Sequence, residues 1–504
     1  MALLQSTIIA LAGGVLYVIG SAIYNIFFHS LRSFPGPLLW RASVLPSISW
    51  LVRGDLPRQV AKLHERYGPV VRIKPHELSF CEADAWEDIY GHLPAGKQGF
   101  DKYSGFYRIH YPDRRLDIVG ATQADHPVIR KRYAHGFSER SMLAQEDSMR
   151  SYVDLLIQRL HETGKDGENA CNMREWLNWT TFDIIGDLGL ASPFGCLEKS
   201  DYHPWISMIL DNVKGISFLA AMTELGLKPL ARWIMSSGWI EASVKHRAFV
   251  VGILRKRMEN YPNRRDIIEP LIKMMEKSDE IRQDMDFDFN AVACNADSLL
   301  VAGSETTATT LIAATYLLAT NPEQQARLAH EVRSTFKTED EITLTGVNGL
   351  PYMLACLQEA MRCYPPPIMG MPRQVGRGGG IIAGTHVPED TVVAVWQWAI
   401  NNSPRIWVEP DTFQPERFLG ADKPAKFKAD QTNALRPFGS GPRDCIGKTL
   451  AYAEMRLILA RLIWNFDFKI HEDSKGFIER SKGYILWEKP ALNVYLKPVQ
   501  AGDR

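Results

Sequence analysis

No Asp, Glu, Lys or Arg precedes Arg32, no two cysteines form a Cys-x-x-Cys pair, and no two histidines stand four apart. The missing cysteine and histidine spacings argue against a structural or catalytic zinc site. Net charge is missing too: 58 Lys and Arg balance 58 Asp and Glu, so no overall field favours nucleic acid or an acidic partner. The seven cysteines, Cys81, Cys171, Cys196, Cys294, Cys356, Cys363 and Cys445, are odd in number and scattered. That is no disulfide framework and fits a reducing compartment. Linkers, repeats and biased tracts are also absent. The 504 residues, 45% hydrophobic and 23% charged, therefore read as one large globular unit with a single boundary near the N-terminus.

The uncharged start is a long apolar run, with Ile8 to Phe28 dominated by Ile, Leu, Val, Ala, Gly, Phe and Tyr. About 21 helical residues reach about 31 Å, enough to cross the hydrocarbon of a bilayer. The first basic residues, Arg32, Arg41, Arg53 and Arg58, follow it, so the positive-inside tendency leaves the rest of the chain in the cytosol. A secretory signal peptide is the alternative, with Gly20, Ser21 and Ala22 as a small-residue cleavage site. Against it, a basic leading region is missing, the apolar run continues to Phe28, and export would oxidise the cysteines. Phe34-Pro35-Gly36-Pro37 then reads as a stiff elbow. The expected organisation is a membrane anchor over residues 1–31, embedded in lipid, and one domain over 32–504.

Beyond the elbow, apolar spacings of three and four predict helices over Val60 to Tyr67, Ser138 to His161, Trp176 to Leu190, Trp239 to Asn260, Ala291 to Ala319, Pro322 to Phe336, Leu350 to Tyr364 and Lys448 to Trp464. Short strands are predicted over Pro69 to Ile73, Gly380 to His386, Thr391 to Trp396 and Ala491 to Leu496. The fold class is mainly α with a minor β-sheet.

Phe438-Gly439-Ser440-Gly441-Pro442-Arg443-Asp444-Cys445-Ile446-Gly447 runs into the helix predicted from Lys448. A cysteine just ahead of a helix meets its free N–H groups and positive end, which favour thiolate over thiol. Gly439 and Gly441 remove side chains where backbone can lie against a planar cofactor, and Arg443 offers a cation to a carboxylate. The phosphate-binding reading of Gly441 to Thr449 fails because five residues, not four, separate its glycines. The dinucleotide reading of Gly378 to Ala383 fails because no helix pattern follows it.

This loop resembles the cysteine-ligand signature of the cytochrome P450 superfamily. The resemblance implies a mostly helical haem-thiolate fold behind a single N-terminal transmembrane helix. It also implies haem b, iron protoporphyrin IX, with Cys445 as axial ligand and Phe438 packed beside it. Ala302-Gly303-Ser304-Glu305-Thr306-Thr307 lies mid-way along a helix of about 44 Å, where Gly303 reads as leaving a groove and Thr306 as bonding a preceding carbonyl. An acid beside a hydroxyl can deliver protons into a dry pocket, and Glu305 with Thr306 resembles the acid-alcohol pair of the same family. Glu359 and Arg362 share a helix face, Arg417 follows in Pro415-Glu416-Arg417-Phe418, and the three resemble the family's buried charge network that locks the cysteine loop. The positions matching its haem-propionate cations are Arg130, Arg373 and Arg443. His126 stands where many members carry tryptophan, a variant resembling fungal secondary-metabolite enzymes.

The activity implied is that of a monooxygenase of the endoplasmic reticulum membrane with its catalytic domain in the cytosol. It is an oxidoreductase using O2 and electrons from an NADPH-dependent reductase to hydroxylate or epoxidise a small apolar substrate. Exposed basic residues near the loop, Arg436 and Lys448, are candidates for docking that reductase. Pocket walls are expected around Phe100 to Tyr111, Phe218 to Trp239, Leu299 to Ala302, Ile368 to Met369 and Tyr484 to Leu486. A haem-thiolate isomerase or dehydratase would differ by needing no NADPH, and a non-catalytic membrane haem protein by yielding no product.

Overall fold

The structure is a computed structural model that describes residues 2–92, 99–107, 117–203, 214–215, 217–227, 230, 239–260, 266–276 and 288–500. Its centre is the helix Phe289–Thr320, about 48 Å long by its 32 residues. The Asp288 carboxylate caps its start by accepting the Ala291 N–H at 2.9 Å, and Asn321-Pro322 ends it. Apolar and small on nearly all sides, it is buried along most of its length.

The helix Met173–Leu190 crosses it closely. A Cβ on Gly303 would come within 2.9 Å of Ile185, and one on Gly189 within 3.1 Å of Leu299. The missing side chain of Gly303 therefore serves helix packing against Ile185, while Gly303 itself also lines the large cavity beside this helix. The long helix stays α-helical through Gly303 and Thr306.

The predicted helix from Ser138 to His161 is two, Glu139–Leu143 and Glu146–Gly164. Gln145 leaves helical geometry between them, and Glu146 turns to accept the Leu344 N–H at 2.8 Å. The other predicted helices form within a few residues of their expected limits, among them Pro351–Cys363 and Lys448–Asn465.

A five-stranded sheet runs in the order Val70–Lys74, Glu77–Phe80, Val392–Val395, Arg373–Gln374 and Asp101–Lys102. Its last pair sets Lys102 opposite Arg373. A second sheet of Ala170–Asn172, Asn493–Pro498 and Phe466–Ile470 closes the far side. Gly380–Ile382 and Thr385–Val387 form a hairpin. All seven cysteines are free.

At the N-terminus, Ala2–Phe27 is one helix, and from Leu4 to Phe27 it is long and apolar enough to cross a membrane, with a mean hydropathy of 1.9 and none of it buried. The segment after it is held by the domain. Fully buried Arg72 donates to the Asn25 carbonyl at 2.9 Å and the Leu31 carbonyl at 3.2 Å, and Leu31 itself is buried against Leu78 and Phe80. The Pro35 carbonyl accepts the Arg72 N–H at 2.7 Å, so the elbow lies against the first strand.

Candidate active site

Between the long helix and the cysteine loop lies a cavity with about 1420 Å³ of free space, its mouth included. Thr306 and Ala302 from the long helix and Cys445 and Phe438 from the cysteine loop all line it.

The cysteine loop closes on itself by a 2.8 Å bond from the Cys445 N–H to the Phe438 carbonyl, and the Phe438 ring packs on Tyr452 with centroids 5.0 Å apart. Gly439 and Gly441 both adopt positive φ. Gly439 lines the cavity, whereas a Cβ on Gly441 would strike the Tyr90 carbonyl. Gly441 is thus fixed by the helix Ala85–Tyr90, not by a cofactor. Cys445 is the one exposed cysteine, and its exposure is to the cavity. Burial pushes its thiol up, opposed by the Gly447 N–H, Arg130 and Lys448. The helix start alone therefore does not produce a thiolate here, but a coordinating metal cation deprotonates a thiol outright.

Basic groups crowd one edge. Lys102, His126, Arg130 and Arg443 line the cavity, while Arg373 is buried just behind it, its guanidinium 3.3 Å from the Tyr107 hydroxyl. Arg130 is already paired, bridging to the Asp444 side chain and donating to its carbonyl at 2.6 Å, so it braces the cysteine loop. Arg443 donates to the Ala121 carbonyl at 3.0 Å and Lys102 to the Val119 carbonyl at 2.6 Å. Among the described residues, Lys102, Arg373 and Arg443 have no carboxylate in ion-pair reach. Burial, then repulsion from Arg373, lowers Arg443 to about 10. Burial, then Arg373 and Arg443, holds Lys102 well below its ordinary value. Burial, then Arg443, Lys102, Arg130 and Arg373, takes His126 down to about 3, so its imidazole is neutral. Three cations without an ion-pair carboxylate suit an anionic group such as the two haem propionates, and the donor set, with the Cys445 thiol lining the same cavity, fits haem.

Thr306 and Glu305 point apart, as neighbours on a helix do. The Thr306 hydroxyl lines the cavity and donates to the Ala302 carbonyl at 2.7 Å. Glu305 is buried away from the cavity and ion-paired with Lys489. A second buried acid, Glu454, lies beside Thr307, and burial pushes its carboxyl well above the usual range.

Behind the loop, Glu359 accepts from Arg362 twice at 2.8 Å and from Arg417 at 3.1 Å. Arg417 also pairs with Asp430, and all four side chains are fully or almost fully buried. Arg362 continues to the carbonyls of Asn401 and Pro410, each at 2.8 Å, and of Thr412 at 2.9 Å. Two cations thus face two anions.

Of the expected walls, Leu299 and Ala302 line the cavity, joined by Pro366 and Pro367 in place of Ile368 and Met369. Ile368 is core, and Met369 and Ile485 line a smaller neighbouring cavity. Phe100 to Tyr111 and Phe218 to Trp239 fall partly outside the described residues. Sequence reasoning missed Lys102, Asp430 and Lys489. Lys102 sits on a strand of two residues, too short for any periodic signal, and Asp430 lies in irregular chain. For Lys489, the sequence offered no signal beyond the Glu488-Lys489 pair between two apolar stretches.

The family model for cytochrome P450 matches residues 35–494. The cytochrome P450 monooxygenase tpeC of Talaromyces stipitatus is 45% identical, covering 98% of this chain and 95% of its own. Cytochrome P450 monooxygenase 1 of Neocamarosporium betae is 42% identical over 96% of each chain. Trichothecene C-15 hydroxylase of Fusarium sporotrichioides is 39% identical over 97% of this chain and 98% of its own. With relatives matching from end to end and a cavity lined by both a cysteine and a helix hydroxyl, this chain belongs to the cytochrome P450 family, haem enzymes that incorporate oxygen.

Proposed function

We propose that this chain inserts one oxygen atom of O2 into a small, mostly apolar metabolite of fungal secondary metabolism, by hydroxylation or epoxidation, using electrons from a separate NADPH-dependent reductase. The observation that carries this reading is the cavity itself, whose walls beyond the basic edge are Ile118, Val119, Leu299, Ala302, Pro366 and Met371. The name of the Fusarium relative, a C-15 hydroxylase of a trichothecene, supports hydroxylation of that class of skeleton.

In this reading Cys445 would ligate the haem iron, Lys102, His126, Arg373 and Arg443 would hold the propionates, and Arg130 braces the loop through Asp444. When bound, haem b supplies the iron chemistry that activates O2, its thiolate ligand favouring O–O cleavage. The protein's part is to hold the substrate dry beside Thr306 and to move protons. The Thr306 hydroxyl is a group at the cavity surface that can pass a proton, and Glu305 is the adjacent acid that can resupply it. The exposed groove lined by Arg436, Lys448 and Lys423 on the outer side of the loop is the docking face for the reductase. The helix Ala2–Phe27 is a single-pass anchor in the endoplasmic reticulum membrane, with residues 32–504 in the cytosol.

The test is the full chain with a reductase, NADPH and isotopically labelled O2. Candidate polyketide and terpenoid substrates should gain one labelled oxygen atom per turnover. Cys445→His should move the band of the reduced carbon monoxide complex to that of histidine-ligated haem. Turnover without NADPH, or an unmoved band, would overturn the monooxygenase reading or the ligand assignment respectively.

A further inference from the structure

On the face that the long helix shows to the cavity, Ser298, Ala302 and Thr306 recur every fourth residue. Ser298 and Thr306 therefore stand two turns apart, about 12 Å along the axis. The small side chain of Ala302 leaves the face between them open. Ser298 is half-buried, and what lies behind it fixes its polarity. Its hydroxyl donates to Asp117 Oδ2 at 3.2 Å, and Asp117 is fully buried. The other oxygen of Asp117 accepts the Gly120 N–H, which closes residues 117–120 into a turn. Within that turn the Ile118 N–H is held by Asn295 Oδ1 at 3.0 Å, and Asn295 Nδ2 is committed to the Ala291 carbonyl at 2.8 Å. Ile118 and Val119 line the cavity, so this wall is pinned to the long helix at two points and is organised before a ligand arrives.

A serine hydroxyl has one proton and two lone pairs. With the proton given to Asp117, the group that Ser298 offers the cavity is an acceptor. Turning the proton toward a ligand would take a donor from a buried carboxylate, and a bond to a charged oxygen is stronger than the neutral one gained. We propose that Ser298 is a specificity-determining residue: it accepts a hydrogen bond from a hydroxyl that the substrate already carries, about 12 Å, or two helical turns, from the carbon oxidised beside Thr306. Asp117 is the positioning residue behind it. The inference rests on the reading of this cavity as the substrate site, with oxidation next to Thr306. The preferred substrate is then an alcohol with an apolar skeleton long enough to span that distance. A ketone, ether or ester in the same place sets a lone pair against the lone pair of Ser298 and gains nothing.

The test is optical titration of the full-length holoenzyme with paired azoles, a 1-(ω-hydroxyalkyl)imidazole and the 1-alkylimidazole of equal length, over a series of increasing chain lengths. The imidazole fixes one end of each probe at the haem. In the wild type the hydroxyl member should gain nothing at short lengths. Once the chain spans about two turns it should bind roughly three- to tenfold more tightly than its partner, the size of one neutral hydrogen bond. The ω-methoxy analogue, an acceptor only, should show no gain at that length, and Ser298→Ala should erase the gain of the hydroxyl member. A serine that only ties the turn to the helix would, when replaced, lower the thermal midpoint and weaken both members of each pair alike, which would overturn the proposal. A gain that survives Ser298→Ala, an equal gain in the methoxy series, or no gain at any length would overturn it too. Should Ser298→Ala fail to fold, the length dependence and the methoxy comparison in the wild type still decide. If no azole of any kind shifts the haem band, the reading of the cavity fails instead.

Discussion

Lys102 stands directly opposite Arg373 across two antiparallel strands of two residues each, so backbone register alone places two cations side by side at the cavity edge. Like charges facing each other in a sheet are destabilising, and the fold keeps them together where an anionic ligand repays the cost.

Lys102→Met should therefore act in opposite directions on two measurements. The thermal midpoint of haem-free protein should rise, since repulsion on Arg373 and Arg443 is relieved. Haem retention, followed by transfer to an acceptor protein, should weaken about tenfold to a hundredfold, the size of a charge-assisted hydrogen bond of about 1.5–3 kcal/mol. Unchanged retention would remove Lys102 from the propionate site.

Glu359→Gln leaves two fully buried guanidinium groups facing the single carboxylate of Asp430. Breaking a buried pair this way costs about 3–5 kcal/mol, so the variant should accumulate without haem. Its carbon monoxide difference spectrum checks this, and Asp430→Asn should behave alike. A normal holoprotein from either would mean that the network is dispensable to the loop.

Truncation should reveal where the anchor ends. Removing residues 1–24 leaves the carbonyl partners of Arg72 and the burial of Leu31 in place, and that protein should fold and need less detergent. Removing residues 1–31 strips two hydrogen bonds from a buried guanidinium, about 1–3 kcal/mol each, and one buried leucine, about 1.5–3 kcal/mol. A lower thermal midpoint for the longer deletion is the expected result, and equal midpoints would show that the junction contributes nothing.

His64 sets an acid limit on stability. It is 3% exposed, lies 2.9 Å from the Gly68 carbonyl and 2.7 Å from the Ser79 hydroxyl, and burial takes it down to about 4. Its folded value lies below the unfolded one, so protons bind the unfolded chain first and stability falls as pH drops through 6.5 toward 4. Between pH 7 and pH 5 the loss is about 2 kcal/mol. Denaturant unfolding of wild type and His64→Asn at both pH values checks this, and the variant should lose correspondingly less.

Much of the site was legible because its signals are local. The cysteine loop, the Glu359-x-x-Arg362 pair and the Glu305-Thr306 dipeptide each sit within ten residues of sequence, and helical periodicity located the elements that carry them. What each side chain meets was not local. Gly303 read as leaving a groove and does line the cavity, but the direction its side chain would take is filled by Ile185 from another helix. Arg130 read as a propionate cation, and the pairing with Asp444 that it makes was not visible in the sequence.

The sequence by itself determined the family, the ligand loop, the apolar N-terminal helix and the mainly helical class, because ligand spacing, apolar run length and a 3.6-residue period survive without knowledge of contacts. Only the tertiary structure decided that Lys102 joins Arg373, that Asp430 balances Arg417, and that Glu305 turns from the cavity to Lys489, 184 residues further on. A helix fixes which residues share a face, but the charge opposite that face is supplied by whichever segment packs there, and no local pattern encodes that partner.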